Sequence, residues 1–408
     1  MNVAIVTSEF VSESDFDGGL ANYTYKLAKW LQGNGHKVTV YLASAEEGVN
    51  SFEEIAIVKV KHIDYSWLIQ YYANMFKIGR LFSEKFRVYV RFRMHSRAFK
   101  KKLIQEHKQN KIDIIHYPHL LGYAFYRPNH IPSIVRLSSS TALCYQMGGY
   151  GSSDTQMFAQ ENFEMKAMNN VDAVFGPSKM VAALTEKMIN KKIDIIETPY
   201  IKPEGISDLQ VFENELKNKK YILFFGSIGL IKGVATIARI IKPLLEKHKD
   251  LHYVFVGKKL NNSIEGLSIW DFLVKSAGEN SNRIIYIASQ KHISLFPIIQ
   301  NALMVTLPSR TDNFPNACIE AMANKKIVIG TKGNGFDQLI DDGQSGYLIN
   351  VDDHADLLNK IELVLNLSSA QKNEIEKKAF ERTEKLHPDF VLNELIDFYQ
   401  KTISEFKN

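Results

Sequence analysis

A chain of 408 residues exceeds what one hydrophobic core fills, since cores stop growing near ~250–300 residues, so two to three domains are expected. Its 45% apolar and 23% charged residues exclude a disordered chain, and 23 Gly and 11 Pro scattered without a period exclude a collagen-like one. The net charge is only +5, yet between Lys77 and Lys108 eleven basic residues meet just Glu84 and Glu106, so this stretch alone carries +9. No apolar run reaches the ~20 residues that a membrane span needs. The start, Met1 to Thr7, has no basic n-region and reads as a strand, which argues against a secretion signal. Cys144 and Cys318, far apart, point to a reducing compartment, here the cytoplasm, with no disulfide framework and no Cys-based zinc site.

Taken in chain order, short runs rich in Val, Ile and Tyr predict strands at 2–7, 37–42, 55–61, 113–117, 133–137, 172–176 and 192–196. Leu20, Tyr23, Leu27 and Leu31 recur at helical spacing, and Gly33-Asn34-Gly35 stops that helix. Strands alternating with helices build a parallel sheet covered on both faces. The pattern lapses over 201–219, around Pro203 and Gly205, which marks an inter-domain crossing. It restarts with strands at 221–226, 252–257, 284–288, 303–307, 326–330 and 346–349, with helices at 233–248, 267–278, 291–302, 316–324 and 354–366 between them. A last helix covers 388–406 with no strand after it, and no repeat of 20–50 residues occurs. The expected fold class is α/β, with a domain over 1–200, a second over 220–387, and a cleft between two doubly wound domains.

Three loops carry candidate chemistry. Asp17-Gly18-Gly19-Leu20 lies between a strand and a helix, where glycines admit a ligand to the backbone and the helix start favours a phosphate; a simple turn is the bland alternative. It is not Gly-x-Gly-x-x-Gly, so a nicotinamide-dinucleotide fingerprint is unsupported. Gly226-Ser227-Ile228-Gly229-Leu230-Ile231-Lys232-Gly233 follows the first strand of the second domain, and Lys232 there either meets phosphate charge or sits in solvent. Pro308-Ser309-Arg310-Thr311-Asp312-Asn313-Phe314-Pro315-Asn316-Ala317 runs from a strand into a helix that carries Glu320. In the bland alternative Asp312 is an N-cap-like turn residue and Glu320 a solvated helix position. Glu320, however, lies among Cys318, Ile319, Ala321 and Met322, and a carboxylate in such a segment usually needs a partner, for which a ribose diol is suitable.

Together these loops resemble glycosyltransferase family 4, the retaining GT-B enzymes. The signatures are Gly18-Gly19 after strand one, Gly226 to Lys232-Gly233, and Pro-Ser-x-x-acid-x-Phe-x₅-Glu. Gly333 to Asp337 and Asp342 to Leu348 look like that family's later signature. The resemblance covers essentially the whole chain and implies two Rossmann-like domains, with helix 388–406 returning to the first.

Carried over by position, Glu320 would bind the nucleotide ribose, Asp312 the donor sugar hydroxyls and Lys232 the diphosphate. Gly18, Gly19, Gly226, Ser227, Arg310, Asn313, Phe314, Pro315, Asn316 and Ala317 would complete the donor site. The family commonly has Arg where this chain has Ser227, so Arg310 or Arg136 is a candidate for the missing cation. Asp312 stands where Glu is usual and is shorter by one methylene.

The family also places a His facing the donor sugar at the end of strand 113–117. His119 is favoured for that catalytic role, with Lys232 and Asp312, while His116 reads as a packed strand residue. Arg136, Ser138, Ser139 and Ser140 follow the next strand, on the acceptor side with His116.

Asp15-Phe16-Asp17 and Asp352-Asp353-His354-Ala355-Asp356 resemble metal motifs, but one borders a Gly-Gly loop and the other opens a helix, so no metal is expected. The resemblance implies a UDP- or GDP-sugar donor, no cofactor, and a glycan or lipid-linked acceptor. The Lys77–Lys108 patch, interleaved with aromatics after Trp67, suits an anionic membrane at the inner face or a solvated helix; no nucleic-acid motif is present. An isomerase epimerising sugar nucleotides on the same fold, and a non-catalytic nucleotide-binding scaffold, are the alternatives.

Overall fold

The structure, a computed structural model, describes residues 1–12, 19–61, 84–139, 147, 154–202, 205 and 207–407. They form two compact units: Met1–Ala142 with Ser152–Thr198 and Pro388–Asn408, and Pro199–His387 with Leu143–Gly151.

In the first unit the chain runs β1 (Asn2–Thr7), α1 (Gly19–Gly33), β2 (Lys37–Ser44), β3 (Gly48–Phe52), β4 (Ile55–Lys61), α2 (Glu84–Gln109), β5 (Ile114–Pro118) and β6 (Ser133–Arg136). It continues through α3 (Asp154–Asn170), β7 (Ala173–Gly176), α4 (Lys179–Glu186) and β8 (Ile193–Ile195). The sheet order is β3-β4-β2-β1-β5-β6-β7-β8. Only β3 pairs antiparallel, joined to β4 by Glu53 and Glu54, both at positive φ (44° and 69°), as a tight hairpin turn requires. Without β3 the strands lie in the doubly wound order, with the reversal between β1 and β5.

Val3 pairs with Val38 on one side and with Ile114 on the other. Residues 3–7 are all buried, as a parallel strand sandwiched by helices must be. Helix α1 buries Ala21, Tyr23, Leu27, Ala28 and Leu31, and Gly35 follows it in the left-handed conformation (φ 77°).

The second unit runs α5 (Gln210–Glu215), β9 (Lys220–Phe225), α6 (Val234–Lys247), β10 (Leu251–Val256), the small hairpin β11 (Ser263–Ile264) and β12 (Leu267–Ser268), α7 (Ile269–Ala277) and β13 (Ile284–Ile287). It continues with α8 (His292–Asn301), β14 (Met304–Thr306), α9 (Asn316–Ala323), β15 (Val328–Thr331), β16 (Tyr347–Ile349), α10 (His354–Asn366) and α11 (Ser369–Glu384). Its six-stranded sheet, β13-β10-β9-β14-β15-β16, is parallel throughout and doubly wound, with the reversal between β9 and β14. Ligands of such sheets bind outside the carboxyl ends of the strands at that reversal.

The last helix, α12 (Pro388–Lys407), belongs to the first unit. Val391, Leu392, Leu395, Phe398 and Tyr399 pack with Val3, Ile5, Leu27, Ile114 and Phe175. Asp15, Asp17, Gly18, Ser140, Cys144 and the stretch 62–83, with Trp67, Lys77 and Arg80, lie outside the described residues.

Candidate active site

At the reversal of the second unit, two loops are fitted to each other by glycines. After β9, Gly226 turns at φ 124° and its N–H donates to Val256 O (2.9 Å). The chain then passes through a 3₁₀ turn, Leu230–Lys232, to Gly233 at φ 73°. A Cβ on Gly233 would sit 1.8 Å from Pro308 O, so only glycine lets the loops before α6 and after β14 touch. Arg310 N–H donates to Ile231 O (2.8 Å) across the same seam.

That seam brings Lys232 to Asp312: Nζ lies 2.6 Å from Oδ2, with both side chains partly buried. Asp312 is held from behind, its carbonyl accepting the N–H of Gly335 (3.0 Å). A Cβ on Gly335 would lie 2.0 Å from Asn313 O, so the Gly333–Asp337 signature acts as a brace beneath the loop. Asn313 is 9% exposed, and its buried Oδ1 has no hydrogen-bond partner among the described residues. Native interiors avoid such orphaned acceptors, and one on the residue that follows Asp312 suits a ligand donor. Phe314 is buried in the unit's core and anchors the loop. Pro315 precedes α9, whose opening residues Asn316 and Ala317 carry N–H groups that the helix itself cannot pair.

One turn further along α9, Glu320 Oε1 lies 3.1 Å from His292 Nε2 on the first residue of α8. The sequence reading does not include His292. Ser227 is half-buried and makes no hydrogen bond to a described residue.

Arg310 corrects an expectation. Its guanidinium forks onto Asp352, with Nη2 2.7 Å and Nε 3.0 Å from Oδ2, and Thr236 also donates to Asp352 (3.3 Å). A guanidinium committed to a bidentate carboxylate is a poor substitute for the cation missing at Ser227. Asp352 itself stands just before the helix; Asp353 caps α10 by accepting the N–H of Asp356 (2.9 Å).

In the first unit the reversal lies at the ends of β1 and β5. Gly19 opens α1. His116 is buried within β5, its Nδ1 2.6 Å from Tyr399 Oη, and burial lowers its pKa to about 3. It packs between Tyr23, Phe175 and Tyr399 as a core residue.

His119 is expected to face a sugar, but its ring is only 1% exposed. Nδ1 lies 3.2 Å from Ser138 Oγ, while Nε2 has no hydrogen-bond partner among the described residues, with Glu164 Oε2 3.5 Å away. Burial pushes this imidazole down to about 4, so it is neutral at physiological pH. Glu164 is itself occupied, accepting from Leu121 N–H (2.9 Å) and Gln160 (2.8 Å).

Ser139 is half-buried beside Ser138. Arg136 stacks on Tyr23, its Cζ 3.7 Å from the ring centroid, and donates to Thr198 Oγ1 (3.0 Å). No carboxylate among the described residues pairs with it.

Two family descriptions match consecutive parts of the chain: Glycosyltransferase Family 4 over residues 17–200 and Glycosyl transferases group 1 over 207–382. An uncharacterized glycosyltransferase of Methanocaldococcus jannaschii is 25% identical over 358 residues, 87% of each chain. An α-1,4-N-acetyl-D-galactosaminyltransferase of Campylobacter jejuni, named for an undecaprenol-diphosphate-linked substrate, is 26% identical over 51% of this chain and 54% of that one. Among solved structures, sucrose-phosphate synthase from Thermosynechococcus elongatus superposes with a TM-score of 0.72 at 16% identity, covering 99% of both chains. A trehalose-6-phosphate synthase gives 0.72 at 13% identity, covering 98% of this chain and 99% of that one. With the two doubly wound units and these matches, the chain belongs to the family 4 glycosyltransferases and has the GT-B fold.

Proposed function

We propose that this glycosyltransferase moves a sugar from a nucleoside diphosphate sugar to an acceptor hydroxyl with retention at the anomeric carbon, in the synthesis of a surface polysaccharide or glycolipid. The observation that carries the reading is the pairing of Lys232 with Asp312 at the reversal between β9 and β14, with the next residue, Asn313, presenting an Oδ1 that no described residue pairs. Lys232 and the opening N–H groups of α9 supply positive charge where the diphosphate gains negative charge as the glycosidic bond breaks, and such preorganised charge is the largest lever on a transition state. Asp312 accepts from sugar hydroxyls and Glu320 from the ribose. On the acceptor side, Arg136, which stacks on Tyr23 and donates to Thr198, contributes a positive charge.

The undecaprenol-diphosphate-linked substrate for which the Campylobacter relative is named supports a lipid-linked acceptor. So does α2, where exposed Arg91, Arg97, Lys101 and Lys108 accompany Phe86, 44% exposed, with Phe158 on α3 51% exposed. Among the described residues no helix is long and apolar enough to cross a membrane, so contact would be at the surface. Incubation with a panel of UDP- and GDP-sugars and an undecaprenyl-diphosphate-linked acceptor tests the reading. Acceptor-dependent release of one nucleoside diphosphate is expected, with an anomeric configuration in the product that matches the donor's. Donor conversion without acceptor would instead identify an isomerase.

A further inference from the structure

The carboxylate of Glu320 is held before any ligand arrives. A carboxylate only accepts hydrogen bonds, so in the 3.1 Å contact His292 Nε2 must carry the proton and donate. The imidazole is oriented in turn: Phe296, one helical turn along α8, meets it edge-on at 5.9 Å and 80°. The start of α8 is pinned as well, since Asp208 N–H donates to Ile293 O (3.0 Å) and Ser294 Oγ donates to Asp208 Oδ2 (2.9 Å). Among the described residues only His292 bonds this carboxylate, through Oε1, which leaves Oε2 and a second lone pair on Oε1 for two further donors. A diol offers two.

We propose that His292 is a positioning residue for Glu320, fixing its carboxylate to receive the two hydroxyls of a nucleotide ribose. The inference rests on the reading of Glu320 as the ribose acceptor. A free Glu side chain loses rotamer entropy when a ligand orders it, and a side chain already fixed by a neighbour loses less, so the benefit is seen in affinity for ligands that carry both hydroxyls.

The test is calorimetric titration of UDP, GDP and their 2′,3′-dideoxy analogues into the full chain and its His292→Ala, His292→Gln and Glu320→Ala variants. His292 is 35% exposed at its side chain, so truncation spares the core. With the preferred base, His292→Ala is expected to weaken ribonucleotide binding about three- to tenfold, the scale of one hydrogen bond, and to leave the dideoxy analogue unchanged. His292→Gln, which keeps a donor, should recover most of the loss. Equal weakening of both ligands, or no weakening, overturns the role of His292. If Glu320→Ala binds ribo- and dideoxynucleotides in the same ratio as the unaltered chain, the ribose reading of Glu320 fails first and takes the proposal with it.

Discussion

Lys232 Nζ and Asp312 Oδ2, contributed by the loops on either side of the β9–β14 reversal, are 2.6 Å apart. The cation proposed for the diphosphate and the carboxylate proposed for the sugar therefore neutralise each other. A phosphate approaching Lys232 meets Asp312 as a competitor and a like charge, and a bound sugar relieves that conflict by giving Asp312 hydroxyl donors. With the roles proposed above, the pair would favour a whole sugar nucleotide over a bare nucleoside diphosphate, the product that would have to leave.

Asp312→Asn should accordingly tighten binding of the bare nucleoside diphosphate several-fold while lowering kcat, because the repulsion goes and the strong acceptor for the sugar goes with it. Lys232→Ala should lower kcat more than donor affinity, since the phosphate charge it meets is greatest as the bond breaks. Calorimetry beside steady-state kinetics separates the two variants. If Lys232→Ala raises only KM, Lys232 provides uniform binding and its assigned role is wrong.

For Glu320→Ala the expected effect is on binding. Hydrogen bonds to charged groups contribute ~1.5–3 kcal/mol, so nucleotide affinity should fall at least about tenfold with the fold intact. Unchanged affinity would remove Glu320 from the site.

Much of the fold was legible because parallel strands buried on both faces give unbroken apolar runs, as in Val3 to Val6 and Tyr221 to Phe225. The outer hairpin strand β3 was missed: Gly48 to Ser51 are exposed, so no apolar alternation signals it. Helix α11 was missed for a similar reason, its surface being charged and only Ile375, Ala379 and Thr383 buried. The second unit's loops were readable because fixed spacings along the chain bring Lys232, Asp312 and Glu320 into play. The partner of Glu320 was not, since His292 comes from another element and nothing in Lys291-His292-Ile293 marks it; nor was the partner of Arg310, Asp352, which also comes from outside the loop. His119 shows the limit of reading a strand end as an open site: its ring is enclosed beside Ser138 and Glu164.

The two enclosed imidazoles predict an acid-sensitive fold. Burial holds His116 at about 3 and His119 at about 4, whereas an unfolded His titrates near ~6.5. Below ~6.5 the unfolded chain binds protons that the folded chain refuses, so the stability present in full above that pH is lost as pH falls. The loss continues to about 3 for His116 and about 4 for His119. Each imidazole contributes a slope of ~1.4 kcal/mol per pH unit inside its window. His116→Gln should therefore flatten the denaturant-derived stability curve between pH 6.5 and 5, where carboxylates are still mostly ionised. An unchanged slope would mean that His116 is already protonated in the folded chain.

The last prediction concerns α2. Its charges are not equivalent: Arg93 donates to Tyr126 Oη (2.5 Å), Arg97 lies over the Tyr126 ring at 4.8 Å, and Lys102 pairs with Glu106 at 3.0 Å. Arg93 and Arg97 help hold α2 to the unit, as do its buried Val88, Phe92, Phe99 and Leu103, whereas the Lys102–Glu106 pair lies within the helix. Arg91, Lys101 and Lys108 are exposed, and the exposed Phe86 and Phe158 add apolar edges. Each Lys or Arg near an anionic bilayer is worth ~1 kcal/mol, screened over roughly a Debye length, so binding to phosphatidylglycerol vesicles should be strong at low salt and fade as salt rises. Lys100, Lys101 and Lys102 changed together to Gln should weaken that binding and leave nucleotide affinity unchanged. Phe86→Ser with Phe158→Ser should weaken it at every salt concentration, because buried aromatic edges are not screened. Equal binding to anionic and neutral vesicles at low salt would make α2 a solvated face and direct the search for the acceptor to soluble glycans.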